Sequence, residues 1–123
     1  MRRVLVVDDE EAITEALCDL FETEGIKADA AAHGKEALER MVDTRYDVVF
    51  LDYMMPVLNG QETLARIRST EHLARQKVIL MSAFPEASLQ LDGLHIDGML
   101  RKPFDLDAVL DLVERLQADA SPD

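Results

Sequence analysis

The sequence predicts an α/β fold, a single doubly wound, five-stranded parallel sheet with helices on both faces. Three observations carry this. Short continuous apolar runs such as Val4–Val7 and Val48–Leu51 have the make-up of strands buried on both sides. Stretches with apolar residues at helical spacing alternate with those runs. Turn and stop residues, such as Gly25, Pro56 and Asn59-Gly60, stand at the joints.

The elements follow in order. Val4–Val7 predicts the first strand. Ala12–Glu24 predicts a helix with Ile13, Ala16, Leu17, Leu20 and Phe21 on one face, stopped by Gly25. Ile26–Ala30 is a weak second strand. Lys35–Val42 reads as a helix with Ala37, Leu38, Met41 and Val42 inward. Val48–Leu51 is the third strand, and Pro56 with Asn59-Gly60 marks a turn. Gln61–Ser69 is a helix with Leu64 and Ile67 inward. Val78–Met81 is the fourth strand. The span Phe84–His95 carries Pro85 and Gly93 with Leu89, Leu91 and Leu94 as anchors, and reads as one short, weak helix. Ile96–Leu100 is the fifth strand. Leu106–Leu116 closes the fold with Leu106, Val109, Leu110, Val113 and Leu116 inward. Residues 1–118 form one domain, and 119–123 read as a frayed tail or the start of a linker.

Strands alternating with helices require parallel pairing through right-handed crossovers. Five such units fit the flavodoxin-like order 2-1-3-4-5, in which ligands sit beyond the C-terminal ends of the strands. On that rim the sequence puts Asp8-Asp9 after strand 1, Asp52 after strand 3, Ser82 after strand 4 and Lys102-Pro103 after strand 5. Any one of these alone reads as a turn or helix cap, or as a solvated lysine. Four strand ends all carrying such groups are not accounted for by capping.

Two carboxylates ~5 Å apart repel by roughly 3 kcal/mol at an effective dielectric of ~20. Three of them with one ammonium call for a divalent cation. Oxygen donors without His or Cys suit Mg²⁺ (or Mn²⁺). A site so neutralised can accept a phosphoryl group, and an aspartate can attack phosphorus to give an acyl phosphate.

At these residues the sequence resembles a known family. Val6-Val7-Asp8-Asp9-Glu10, Leu51-Asp52-Tyr53-Met54-Met55-Pro56 with Asn59-Gly60, Met81-Ser82-Ala83 and Lys102-Pro103-Phe104 are similar to the response-regulator receiver domain of two-component signalling. The resemblance covers nearly the whole chain, and 2-1-3-4-5 is also that family's strand order. It implies that Asp52 is the phosphoacceptor, fed from the phosphohistidine of a histidine kinase or a histidine phosphotransfer protein. It implies Asp9 as a direct Mg²⁺ ligand, Asp8 as one through water, and Met54 as a ligand through its backbone carbonyl. Ser82 takes the switch position, Lys102 that of the family's lysine, and Lys102-Pro103 that of its cis peptide. The family places Tyr or Phe three residues before the lysine; here that second switch position is Met99. His95-Ile96 stands where Gly-Ala is usual. A homodimer through the face of the fourth helix, fifth strand and fifth helix is a further expectation.

Composition narrows the partners. With 13 Lys and Arg against 25 Asp and Glu, the net charge of −12 argues against direct contact with nucleic acid or an anionic membrane. The single cysteine, Cys18, fits a reducing cytoplasm and reads as packing. The apolar run after Arg2-Arg3 ends at Asp8, too short for a signal peptide. His33, His72 and His95 have no partners at metal-ligand spacing. Glu10 reads as a solvated first-turn acid, and Tyr53 and Phe84 flank the site. Other readings are a receiver-like interaction module that takes no phosphate, and the receiver part of a larger regulator. A phosphatase built on an aspartyl phosphate is disfavoured because Met54 stands where a second Asp is needed. A turnover enzyme is therefore not expected.

Overall fold

The computed structural model describes residues 2–55 and 57–119. Pro56 of the expected turn, and residues 120–123 of the tail expected at 119–123, lie outside them, while Asp119 ends the last helix. Five strands, β1 (Arg3–Val7), β2 (Lys27–Ala31), β3 (Val48–Asp52), β4 (Val78–Ser82) and β5 (Gly98–Arg101), alternate with α1 (Glu11–Thr23), α2 (Gly34–Asp43), α3 (Gly60–Ser69) and α4 (Leu106–Asp119). The sheet is parallel throughout, in the order β2-β1-β3-β4-β5. This is the order expected from the alternation.

Side chains alternate across each strand, so each central strand feeds two cores. Val4, Val6, Phe50, Ile79 and Met81 pack with Leu17 and Phe21 of α1 and with Val109, Leu112, Val113 and Leu116 of α4. Leu5, Val7, Val49, Leu51, Val78 and Leu80 pack with Ala37 and Met41 of α2 and Leu64 and Ile67 of α3. Phe21 and Phe50 meet with ring centroids 5.2 Å apart. The stop at Gly25 (φ +76°) is built from two bonds: Gly25 N donates to Glu22 O and Ile26 N to Phe21 O. That pair is a Schellman motif, which needs a left-handed residue at its turn. Asn59 and Glu62 form a reciprocal capping box at the start of α3.

Four groups of expectations are corrected. Val42 is 72% exposed and Leu106 44% exposed, and Ala16 is exposed on α1. Val42 is the second-last residue of α2 and Leu106 the first of α4, so each stands at a helix end. Leu112, outside the expected face, is buried in place of Leu106. The span 84–95 holds a single 3₁₀ turn, Glu86–Ser88, rather than an α-helix. Asp92 and Gly93 both have positive φ (52° and 78°), and Leu89 and Leu91 repeat at a spacing of two. That spacing belongs to an extended strap, and Leu89, Leu91, Leu94 and Ile96 pack as one onto the core beneath α3. The dimer face expected through a fourth helix before β5 therefore has no such helix among the described residues. β5 also begins later than expected, at Gly98, where a Cβ would come within 2.9 Å of the Ile79 side chain.

Candidate functional site

The register of the sheet assembles the site. Val7 pairs with Leu51, Asp52 with Met81, and Ser82 with Arg101. Asp8, Asp52, Ser82 and Lys102 therefore sit side by side on the C-terminal rim. The chain enters α3 directly behind Asp52. A Cβ at Gly60 would lie 2.5 Å from the Asp52 carbonyl oxygen and 2.6 Å from Tyr53 Cα, so only glycine lets the helix start there.

Carboxylate oxygens of Asp8, Asp9 and Asp52 lie within 4.8 Å of one another. Asp8 and Asp52 are buried, at 1% and 4% exposure, and Asp9 is open to solvent. Lys102 Nζ donates to Asp8 Oδ2 at 2.7 Å, lies 3.2 Å from Asp52 Oδ1, and reaches Glu10 Oε1 at 3.3 Å. The other oxygen of Asp8 accepts from Glu10 N at 2.9 Å. Ser82 is buried, and its Oγ accepts from Phe84 N at 2.9 Å. Its hydroxyl proton remains available to a ligand. Lys102 N donates to Ser82 O, and Lys102-Pro103 is a cis peptide.

The electrostatics show what the cluster can hold. Burial first, and the neighbouring Asp8 carboxylate second, push the Asp52 carboxyl from 3.8 up to about 6, against the opposing pull of Lys102. Burial would lower the Lys102 ammonium, but its hydrogen bond to Asp8 and the charge of Asp52 push it up to about 12. The three clustered aspartates, Asp8 and Asp52 buried and Asp9 open to solvent, carry −3 when ionised, and the Lys102 ammonium, paired with Asp8 and Asp52, brings this to −2. The donor set is oxygen only. A divalent hard cation fits both the charge and the donors.

Met54 lies two residues past Asp52 with its side chain 61% exposed. Met99 is half-buried on β5, paired with Leu80. Two contacts were not read from the sequence. Glu10 reaches Lys102, and the Tyr53 hydroxyl accepts from Gln90 N at 2.9 Å, tying the strap to the residue after Asp52. A first-turn acid after Asp8-Asp9 is a signal for the former; nothing local marks the latter. His33 caps α2, its Nδ1 accepting from Glu36 N. Cys18 is half-buried against the α1 core, and burial pushes its thiol up.

Among the described residues, four of the five exposed large apolar side chains ring this rim: Met54, Val57, Phe84 and Leu106. An apolar cleft of about 460 Å³ opens beside Lys102, walled by Ile13, Ala16, Phe104 and Leu106. No described helix is long and apolar enough to cross a membrane.

Residues 4–114 match the family described as the response regulator receiver domain. The chain is 38% identical over 125 residues to a transcriptional regulatory protein, the CpxR homolog of Haemophilus influenzae, covering 99% of this chain and 53% of that protein. It is 32% identical over 115 residues to sporulation initiation phosphotransferase F of Bacillus subtilis, covering 92% of this chain and 91% of that one. It spans about half the length of several of the curated relatives it matches. Its fold is similar to that of response regulator TrrA from Thermotoga maritima, solved in complex with Mg²⁺-BeF. The TM-score there is 0.82 at 35% identity, with 94% of this chain and 99% of that chain covered.

Proposed function

This chain belongs to the response regulator receiver domain family, and from that premise we propose that it is a phosphorylation switch with Asp52 as its phosphoacceptor. The observation that carries the proposal is the cluster itself. Asp52 is the buried carboxylate at the end of a central strand, flanked by two further carboxylates and bonded to one lysine. Structural carboxylates at strand ends have no need of such company.

Asp8, Asp9 and Asp52, with the Met54 carbonyl, are the residues that would hold Mg²⁺ or Mn²⁺. The Mg²⁺-BeF complex of the Thermotoga maritima relative supports that choice of ion. When bound, the cation supplies the positive charge that lets an anionic phosphoryl group approach three carboxylates. An oxygen of Asp52 then attacks phosphorus, and the P–N bond of a phosphohistidine breaks with its electron pair going to the imidazole. Lys102 leaves part of its contact with Asp52 and pairs with a phosphoryl oxygen. Ser82 turns its free proton to another. Positioning and charge neutralisation do most of this work.

Engaging the Ser82 hydroxyl pulls on its bond to Phe84 N, and through Phe84 on the strap that leads to Met99. That two-state element is the switch. The phosphodonor, a histidine kinase or histidine phosphotransfer protein, docks on the apolar ring of Met54, Phe84 and Leu106. The acid excess of this domain keeps it from being the nucleic-acid contact itself, so its output runs through protein, in a cytoplasmic setting. The chain turns over no external substrate; it takes a phosphoryl group and loses it to water.

The test is direct. Incubate the chain with Mg²⁺ and acetyl phosphate and read its intact mass. The expected result is one phosphoryl adduct that an Asp52→Asn variant lacks and that EDTA prevents. No adduct, where a receiver of known activity is labelled alongside, would overturn the proposal in favour of a module that takes no phosphate.

A further inference from the structure

The opposite rim of the sheet carries a second feature, unrelated to Asp52. A groove of about 850 Å³ opens there between the end of α2, the start of β3 and the turns leading into β4. Five of the chain's 13 lysines and arginines line it (Arg2, Arg3, Arg45, Arg75 and Lys77) against two of its 25 acids, Asp43 and Asp47. A protein of net charge −12 thus has a local excess of +3 at one end.

The ordinary explanations for these cations fail one by one. Arginines near helix C-termini usually neutralise exposed carbonyls. Here Arg40 serves the last turn of α2, and Arg68 donates to the carbonyls of Ala74, Gln76 and His95 beyond α3; neither lines the groove. Arg3 is occupied, paired with Asp29 at 2.8 Å. Asp47 is occupied too, accepting from Arg2 N and Arg3 N. Arg2, Arg45, Arg75 and Lys77 form no ion pair among the described residues. Between them lies Val42, 72% exposed, with Met41 and Leu73 beside it. It is the one exposed large apolar side chain among the described residues that does not ring the Asp52 site.

We propose that this groove is a docking site for an acidic polypeptide segment that presents an apolar side chain to Val42. Guanidinium forks suit carboxylates, and an exposed valine among them suits a protein ligand better than a bare anion. The groove lies about 17 Å from Asp52 along the five residues of β3. It therefore offers a contact that needs no phosphorylation and leaves the Asp52 rim free.

A short synthetic peptide of Asp and Glu around a central Leu pair, labelled with fluorescein, is titrated with the full chain and followed by anisotropy. We expect binding that weakens as salt is raised to physiological strength, where the screening length is about 8 Å. A Gln-and-Ser peptide with the same leucines should not bind. The double variant Arg45→Glu/Arg75→Glu exchanges two exposed attractions for two repulsions and should weaken binding about tenfold. Val42→Ser should also weaken it. Labelling by acetyl phosphate should be unchanged in each variant, which reports an intact fold and a working Asp52 site. Three results would each overturn the proposal. They are equal binding by the double variant, displacement of the peptide by millimolar inorganic phosphate, and self-association of the chain that the double variant abolishes. The second would make the groove a small-anion site, and the third a contact between copies.

Discussion

Replacing Asp52 by Asn should make the metal-free protein more stable. Asp52 is 4% exposed and sits beside Asp8, and its carboxyl is pushed up from 3.8 to about 6. A raised folded-state value favours the protonated form. The contribution of this group to stability is therefore fully present below the unfolded value of ~3.9, and is lost as pH rises through about 6. At pH 7 the ionised carboxylate costs about 3 kcal/mol, two units at ~1.36 kcal/mol each. Asparagine keeps an oxygen that accepts from Lys102 and carries no charge, so it removes up to that cost. For a chain of this size the gain is roughly 10 °C in melting temperature. The assay is urea unfolding of both proteins in EDTA at pH 7.5 and again near pH 4.5. The variant should lead at the higher pH and the gap should narrow at the lower. Saturating Mg²⁺ should close it from the other side, because a ligand at a hundredfold its Kd stabilises by about 2.7 kcal/mol. A variant that is no more stable than wild type at pH 7.5, or a gap that does not change with pH, would refute the reasoning.

Other outcomes follow from the same structure. Gly60→Ala should lose about 1–3 kcal/mol by overpacking and slow acetyl phosphate labelling, since the added Cβ presses on the Asp52 carbonyl. Gly25→Ala, with nothing within 4 Å of its Cβ, should cost stability through its positive φ and leave labelling unchanged, as parallel measurements would show. Phe21→Ala should cost about 3–5 kcal/mol in urea unfolding, because the buried ring, tilted against Phe50, leaves a cavity between two elements. Asp29 gives the opposite pH dependence to Asp52. Burial would raise its carboxyl, but hydrogen bonds from Tyr46 (2.7 Å) and Arg3 hold it below the usual value. Its contribution is present above ~3.9 and lost as pH falls through the lower folded value. Tyr46→Phe should therefore destabilise at neutral pH by about 1–2 kcal/mol, with a deficit that shrinks in acid; an NMR titration should find Asp29 moved upward.

The placement of the Asp52 rim was legible because each of its residues ends or directly follows a predicted strand. Once the strand order is known, Asp8, Asp52, Ser82 and Lys102 have to meet. Helix faces were legible up to their ends. Val42 and Leu106 continue an inward stripe, but they stand at helix ends, where spacing alone does not say what is covered. The strap after Ser82 was misread as a helix because its leucines were counted as anchors, whereas Leu89 and Leu91 are two apart and Asp92-Gly93 turns with positive φ. The bond from Gln90 to Tyr53 joins residues 37 apart, and no local pattern marks it. The basic groove was hidden for a related reason. Its cations come from residues 2 to 77 and gather only when three loops meet, so the overall acid excess masked them.

The central claim is that Asp52, and neither of the two carboxylates beside it, takes the phosphoryl group. It is tested most directly by phosphorylating the chain with acetyl phosphate and Mg²⁺, reducing the acyl phosphate with borohydride, and sequencing the digest by tandem mass spectrometry. The reduced residue, homoserine, should appear at position 52 alone. Homoserine at position 8 or 9, or at none of the three after a phosphoryl adduct has been seen on the intact protein, would contradict it.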